Sequence, residues 1–296
     1  MKNFVIITDS CCDLPIEIIE EKQIPFVSLT YSYYEEEYKD DLGKSMTPNK
    51  FFDDMRNGAM PKTSQPSSQA FYEAFKEIVS SGRDIIYICV STGLSGTLNS
   101  SNIAKNMIKE EFPQARVHIV DILTASLGQG LMVLKAYEMQ ENGSSYEEIV
   151  DYLEMNKQKL NTYMTVDDLG HLKRGGRISA AAATIGMVLH IKPLLTLNHE
   201  GRVMPVVKIR GRKKVIKKLA QIVKERIENS EEQIIAISHG DCIDEAFKLK
   251  EYILEEVKVK DVLLNYIGPA VGTFGGPGAL AVFFMGRERQ HHIIEN

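Results

Sequence analysis

The 296-residue chain contains no tryptophan and only four cysteines, Cys11, Cys12, Cys89 and Cys242. Two of these are adjacent, and no pair has C-x-x-C spacing. A disulfide framework and a zinc ribbon are thereby excluded, and the cysteines read as small structural residues. No apolar run approaches the roughly 20 residues of a membrane span, so no integral membrane segment is expected. The opening MKNFVIITDS turns polar too early for a secretory leader, and the expectation is a cytoplasmic protein. Positive charge is also in deficit. The formal net charge is −5, which argues against nucleic acid as a main partner, because phosphate binding needs a basic surface.

Several catalytic signatures are missing as well. The stretch Ser91–Thr97 (STGLSGT) lacks the Lys of a Walker A loop and does not make a dinucleotide fingerprint. A nucleophile elbow around Ser95 would need glycine at position 97, where Thr97 stands. The clusters Asp167, Asp168, His171 and His239, Asp241 have no further partner at ligand spacing, so no metal is expected.

What is present organises itself around residues 84–121. Asp84–Val90 reads as a buried strand, STGLSGT as a hydroxyl-rich loop, residues 98–112 as a helix and Ala115–Asp121 as the next strand. Such a βαβ unit makes its strands parallel. Ligands of open parallel sheets gather at the carboxyl ends of strands, and the following helix start suits an anion. A similar loop, Lys62–Ser68 (KTSQPSS), leads into a helix over 69–80. Upstream, Phe4–Thr8 reads as the first strand. Asp13 reads as the cap of a helix running to Lys22, and Pro25–Tyr33 as a further strand. Asp9, at the carboxyl end of the first strand, is a weaker candidate for lining a site. A helix is expected near 47–57, and Ser144 with Glu147 form a capping box for a helix reaching Leu160.

The pattern changes near residue 161. His171–Arg177 reads as a basic turn, and 178–189 as a helix apolar nearly all round, which is either buried or lines an apolar cavity. A hairpin is expected from 193–197 and 203–209, helices over 212–228 and 244–257, and strands at 234–238, 262–266 and 279–285. Between the last two strands, Gly268–Gly278 holds five glycines in eleven residues and reads as a tight loop near a ligand. The run Lys208–Lys218 carries seven Lys or Arg in eleven residues, a solvated helix face or a docking surface for an acidic partner. The expected fold class is α/β with two domains. Residues 1–160 would form a three-layer α/β/α domain with a parallel sheet, and 161–296 an α+β domain with a mixed sheet.

Five stretches together, ITDSCCDLP (7–15), KTSQPS (62–67), STGLSGTLNS (91–100), DLGHLKRGGRIS (168–179) and IGPAVGTFGGPG (267–278), resemble the DegV family of fatty-acid-binding proteins. The resemblance implies two α/β domains with a long-chain fatty acid, such as palmitate, held in a tunnel between them and no other cofactor. It implies a non-catalytic protein for lipid transport, similar to the lipid-binding subunit of bacterial fatty acid kinase systems, with such a kinase as partner. It also implies that Thr63 and Ser95 hold the carboxylate, with Ser64, Thr97, Phe274 and Gly275 nearby. Two hydroxyls and helix-end amides require no buried arginine. A tail of about sixteen carbons gains on the order of 10 kcal/mol gross on burial. The family pattern carries histidine in G-T-H-x-G-P-G where this chain has Phe274, whose ring has no donor. That leaves the head-group network and the use with a kinase open. The alternative reading is an enzyme acting on a small phosphorylated or carboxylated metabolite, with Ser95 at its active site.

Overall fold

A computed structural model describes residues 3–179 and 191–289. Within them, β1 (Phe4–Asp9), β2 (Phe26–Val27), β6 (Asp84–Cys89) and β7 (Val117–Asp121) form a four-stranded parallel sheet in the order β2-β1-β6-β7. Helices α3 (Ser68–Ser80) and α4 (Thr97–Glu111) cover one face through Phe71, Phe75, Ile78, Ala104 and Ile108. Helices α1 (Ile16–Lys22), α5 (Leu127–Glu141) and α6 (Tyr146–Asn156) cover the other through Ile19, Met132, Val133, Ile149 and Leu153. The second sheet has six strands in the order β10-β9-β8-β13-β11-β12. These are β8 (Leu160–Thr165), β9 (Ile191–Leu197), β10 (Val203–Arg210), β11 (Ile234–His239), β12 (Asp261–Tyr266) and β13 (Leu280–Met285). Only β11 and β12 pair in parallel. Its outer face carries α8 (Arg212–Arg226) and α9 (Ile243–Leu254). This is the mixed α/β architecture that the strand and helix pattern predicts. The apolar segment expected over 178–189 falls almost wholly outside the described residues.

Helix α5 joins the two halves. One side packs on β1 and β6, and the other packs on Ala236, Ala281 and Phe283 of the mixed sheet. Its glycines permit the double approach. A Cβ on Gly128 would meet the Phe283 ring at 2.7 Å, and one on Gly130 would meet the Cys12 carbonyl oxygen at 2.8 Å. Its buried polar groups face the parallel sheet. Tyr137 donates to the Ile6 carbonyl at 3.0 Å, and the amides of Gln140 and Gln129 donate to the carbonyls of Phe4 and Ile88.

Several local expectations are corrected. The predicted strand 25–33 is two strands. The chain leaves the parallel sheet after Val27, where the Leu29 N–H donates to Ser10 Oγ, and re-enters as β3 (Thr30–Tyr33) of a small antiparallel sheet with β4 (Glu36–Lys39) and β5 (Lys62–Ser64). The KTSQPSS stretch therefore begins as a strand. Asp13 does not cap α1; its backbone is left-handed, Pro15 precedes the helix, and the Asp13 carboxylate reaches elsewhere. The capping box is Ser145 with Glu148, one residue later than expected, because Ser144 N–H is used in closing α5 on Met139. Two predicted turns hold short helices: α7 (Leu169–Arg174), capped by Asp168, and α10 (Pro269–Gly275), with proline in its first turn. The glycine density conceals α10; Gly272 is there to clear Phe52, whose ring a Cβ would meet at 2.9 Å. Helix α2 (Pro48–Arg56) starts at the expected Thr47 cap.

Replacing Gly130 with alanine tests the closeness of α5. With free space, alanine stabilises a helix by up to about 1 kcal/mol. Against the Cys12 carbonyl it should instead destabilise by about 1–3 kcal/mol, read from urea unfolding. A neutral or stabilised variant would mean that the helix has room to spare.

Candidate functional site: a cavity between the sheets

Small side chains on the inner face of the mixed sheet leave space just ahead of α5, beside Ala125 and Ser126. Ser238 of β11, Ala281 of β13 and Met164 of β8 lie on one row of that face by register. With Phe283, Leu197 and Val203 they help bound a cavity of about 180 Å³. The opposite wall comes from the parallel-sheet half, through Cys11, Leu29, Val90 and Ala125, and from α10 through Ala270 and Val271. The lining is mostly apolar. Among the described residues no histidine, aspartate or glutamate lines it.

The sequence candidates reach its wall from a strand, a loop and a short helix. Thr63 and Ser95 both line the cavity, as do Phe274 and Gly275. Thr63 lies on β5 opposite Tyr31, so alternation along the strand turns the neighbouring Ser64 away, and Ser64 is exposed. Ser95 is half-buried just before α4, with its Oγ 2.8 Å from Thr97 Oγ1. Thr97 is fully buried behind it and does not itself line the cavity. The loop is wound tightly. The N–H of Thr92 goes to Asp121, that of Gly93 to Ser91 Oγ, and those of Leu94 and Ser95 both to the Ser91 carbonyl. These amides are therefore already used, and hydroxyls remain as the loop's offer to a ligand. Gln65 fastens the two hydroxyl loops together. Its amide donates to Ser100 Oγ at 2.8 Å and rests on Gly96, where any side chain would collide with it.

Motif reasoning gave no role to Arg177, which the structure puts in the cavity wall. Its guanidinium donates to the carbonyls of Leu94 and Gly175 and lies 4.3 Å from the centre of the Phe274 ring. No carboxylate pairs with it among the described residues, and half-burial lowers its pKa. The signal was present in HLKRGGRIS, but a carboxylate held by hydroxyls alone gave no reason to look for a cation.

With this geometry in view, known proteins supply the family. The family model described as an uncharacterised protein of the DegV family matches residues 3–287. The chain belongs to the DegV family. A DegV domain-containing protein of Clostridium perfringens is 46% identical over 98% of this chain and 100% of its own length. A DegV protein of Thermus thermophilus, whose structure is described as showing fatty acid binding, superposes with a TM-score of 0.87 at 32% identity, over 96% of this chain and all of that one. A stearic-acid-binding protein of Eubacterium ventriosum superposes with a TM-score of 0.84 at 26% identity, over 95% and 98% of the two chains.

In this DegV protein Phe274 packs on Gly175, where any side chain would strike the ring, and stacks under Arg177. The other sequence candidates have structural partners. Asp167 pairs with Lys192, Asp168 caps α7, Asp241 pairs with Arg56, and His239 Nδ1 accepts from the Cys242 N–H. Among the described residues, no group of three or more His, Cys, Asp or Glu is placed to hold a metal, and no helix is long and apolar enough to cross a membrane.

Helix α10 is anchored by acids from the other half. Asp13 accepts the Gly268 N–H at 3.0 Å, and Asp40 accepts the Ala270 N–H at 3.1 Å. Asp9 accepts from Tyr87 OH and Val90 N–H, so it braces the start of the Ser91 loop from within and does not line the cavity. All three are buried with no cation paired to them among the described residues. Desolvation raises each carboxyl above its usual range, Asp40 to about 7. The folded state therefore holds the Asp40 proton more tightly than the unfolded chain does. The resulting stability is full at low pH and is lost as pH rises through about 7. For Asp40 the contribution is on the order of 4 kcal/mol between pH values of about 4 and 7. Asp40→Asn should flatten the fall in unfolding free energy over that range, as measured by denaturant titration at several pH values. Parallel wild-type and variant curves would contradict this assignment.

Proposed function

We propose that this chain binds a long-chain fatty acid, such as palmitate, with its tail in the cavity between the sheets and its carboxylate at Thr63 and Ser95. The observation that carries the reading is the lining of the cavity: mostly apolar, without acid or histidine among the described residues, and with the hydroxyls of Thr63 and Ser95 and the guanidinium of Arg177 in its wall. Burial of the tail supplies most of the affinity, and the hydroxyls fix which end faces outward. Arg177 adds the charge complement. The fatty acids bound by DegV relatives from T. thermophilus and E. ventriosum point the same way. We place the boundary between the domains at about residue 160, where β8 begins, and the protein in the cytoplasm.

The alternative, an enzyme with Ser95 as nucleophile, needs a base beside the hydroxyl. Ser95 has Thr97 as its hydroxyl partner, and the described lining has no residue able to serve as that base. A binding role fits this chemistry better. Presentation to a separate fatty acid kinase extends the same reading, with this chain contributing no catalytic group.

The double change Thr63→Ala with Ser95→Ala should weaken fatty acid binding by about 10- to 1000-fold if each hydrogen bond is worth about 1–2 kcal/mol. Equal affinity in a folded double variant removes the head-group site from these residues. At position 274, a ring under Arg177 offers no donor to an acyl phosphate. Phe274→His should leave fatty acid binding nearly unchanged and speed phosphorylation by a cognate kinase. Equal rates for both proteins would show that the position does not limit handover.

A further inference from the structure

Along β13 the cavity wall runs from Ala279 through Leu280 and Ala281 to Phe283. Four steps of extended chain span roughly 13 Å, starting beside the Gly275 end and leading away from it. The antiparallel register sets Phe283 opposite Thr162 of β8, which also lines the cavity, whereas Met285 and its partner Leu160 do not. Phe283 is therefore the last cavity residue on its strand. Its side chain is 1% exposed and belongs to the core cluster that includes Met132, Ala136 and Ala236. Its ring is held from behind by the first turn of α5, because Gly128 lies so close that a Cβ there would meet the ring at 2.7 Å.

From this placement we infer that Phe283 is the stop that limits acyl chain length, and that Gly128 sets the position of the stop. The inference rests on the fatty-acid reading above and adds to it the feature that selects among fatty acids. The ring is rigid and its rear is blocked by backbone, so it cannot yield to an extra methylene as a flexible Met or Leu can. A methylene that finds no space in an apolar pocket typically changes relative affinity by about tenfold or more.

The two residues give opposite tests. Removing the ring with Phe283→Ala should favour eicosanoic over hexadecanoic acid by about tenfold relative to wild type, and should lengthen the acids that co-purify, read by mass spectrometry. Phe283→Leu keeps an apolar side chain at the position and should shift the ratio in the same direction by less, which covers the case in which alanine prevents folding. Gly128→Ala pushes the ring forward and should shift the profile to shorter acids; Phe283→Ala on that background should restore longer ones. Folded Phe283 variants that bind both acids in the wild-type ratio overturn the stop while leaving fatty acid binding intact. Wild-type protein that binds neither acid overturns both readings.

Discussion

The structure depends on one packing constraint: α5 must touch two sheets at once. A helix on a protein surface buries one stripe, but the first turn of this one, Leu127–Gly130, is buried all round, and only beyond it does a stripe through Lys135 and Glu138 meet water. Two glycines in its first turn permit close approach on both sides, to the Phe283 ring at Gly128 and to the Cys12 carbonyl at Gly130. Its glutamines and tyrosine donate to carbonyls of β1 and β6 beneath it. Because α5 starts immediately after Ser126, whose hydroxyl bonds Ser238 of the mixed sheet, the cavity opens where the three layers begin to diverge.

Around that space the polar groups divide into two kinds. Those of the Ser91 loop are largely consumed in holding the loop rigid, and Ser95, which is itself tied to Thr97, also lines the cavity. The buried acids Asp9, Asp13 and Asp40 hold backbone amides and accept a desolvation cost, with no cation among the described residues to offset it. Asp13 and Asp40 secure α10, which carries Phe274 and Gly275, to the parallel-sheet half. The wall of the cavity thus belongs to one half by sequence and is fixed by the other.

Much of the fold was legible because it is written in local periodicity. The βαβ unit at 84–121, the hairpin around Asn198–Arg202 and the α8 face of Ile216, Leu219 and Val223 all follow from side chains a few residues apart. The loops carrying Thr63 and Ser95 were visible because hydroxyls and glycines cluster there. What was hidden is nonlocal. Nothing near Asp13 says that its partner is Gly268, and nothing in the sequence around Arg177 says that Phe274 lies under it. The break at Ser28 depends on a hydroxyl from Ser10, and the capping box moved by one residue because the preceding helix had already claimed Ser144. Glycines misled in both directions. Those of α10 suggested a loop, and those of α5 gave no hint of the close contacts that require them.

The order of the strands also bears on how the molecule is made. β13 is the last strand among the described residues, yet it lies in the interior of its sheet, between β8 and β11. During vectorial synthesis the parallel-sheet half can assemble early, but α5 then waits with its second face uncovered. The mixed sheet cannot close until residues near 285 have left the ribosome. The space bounded by both sheets thus comes into being only when β13 takes its place between β8 and β11, after the elements of the parallel-sheet half have been made.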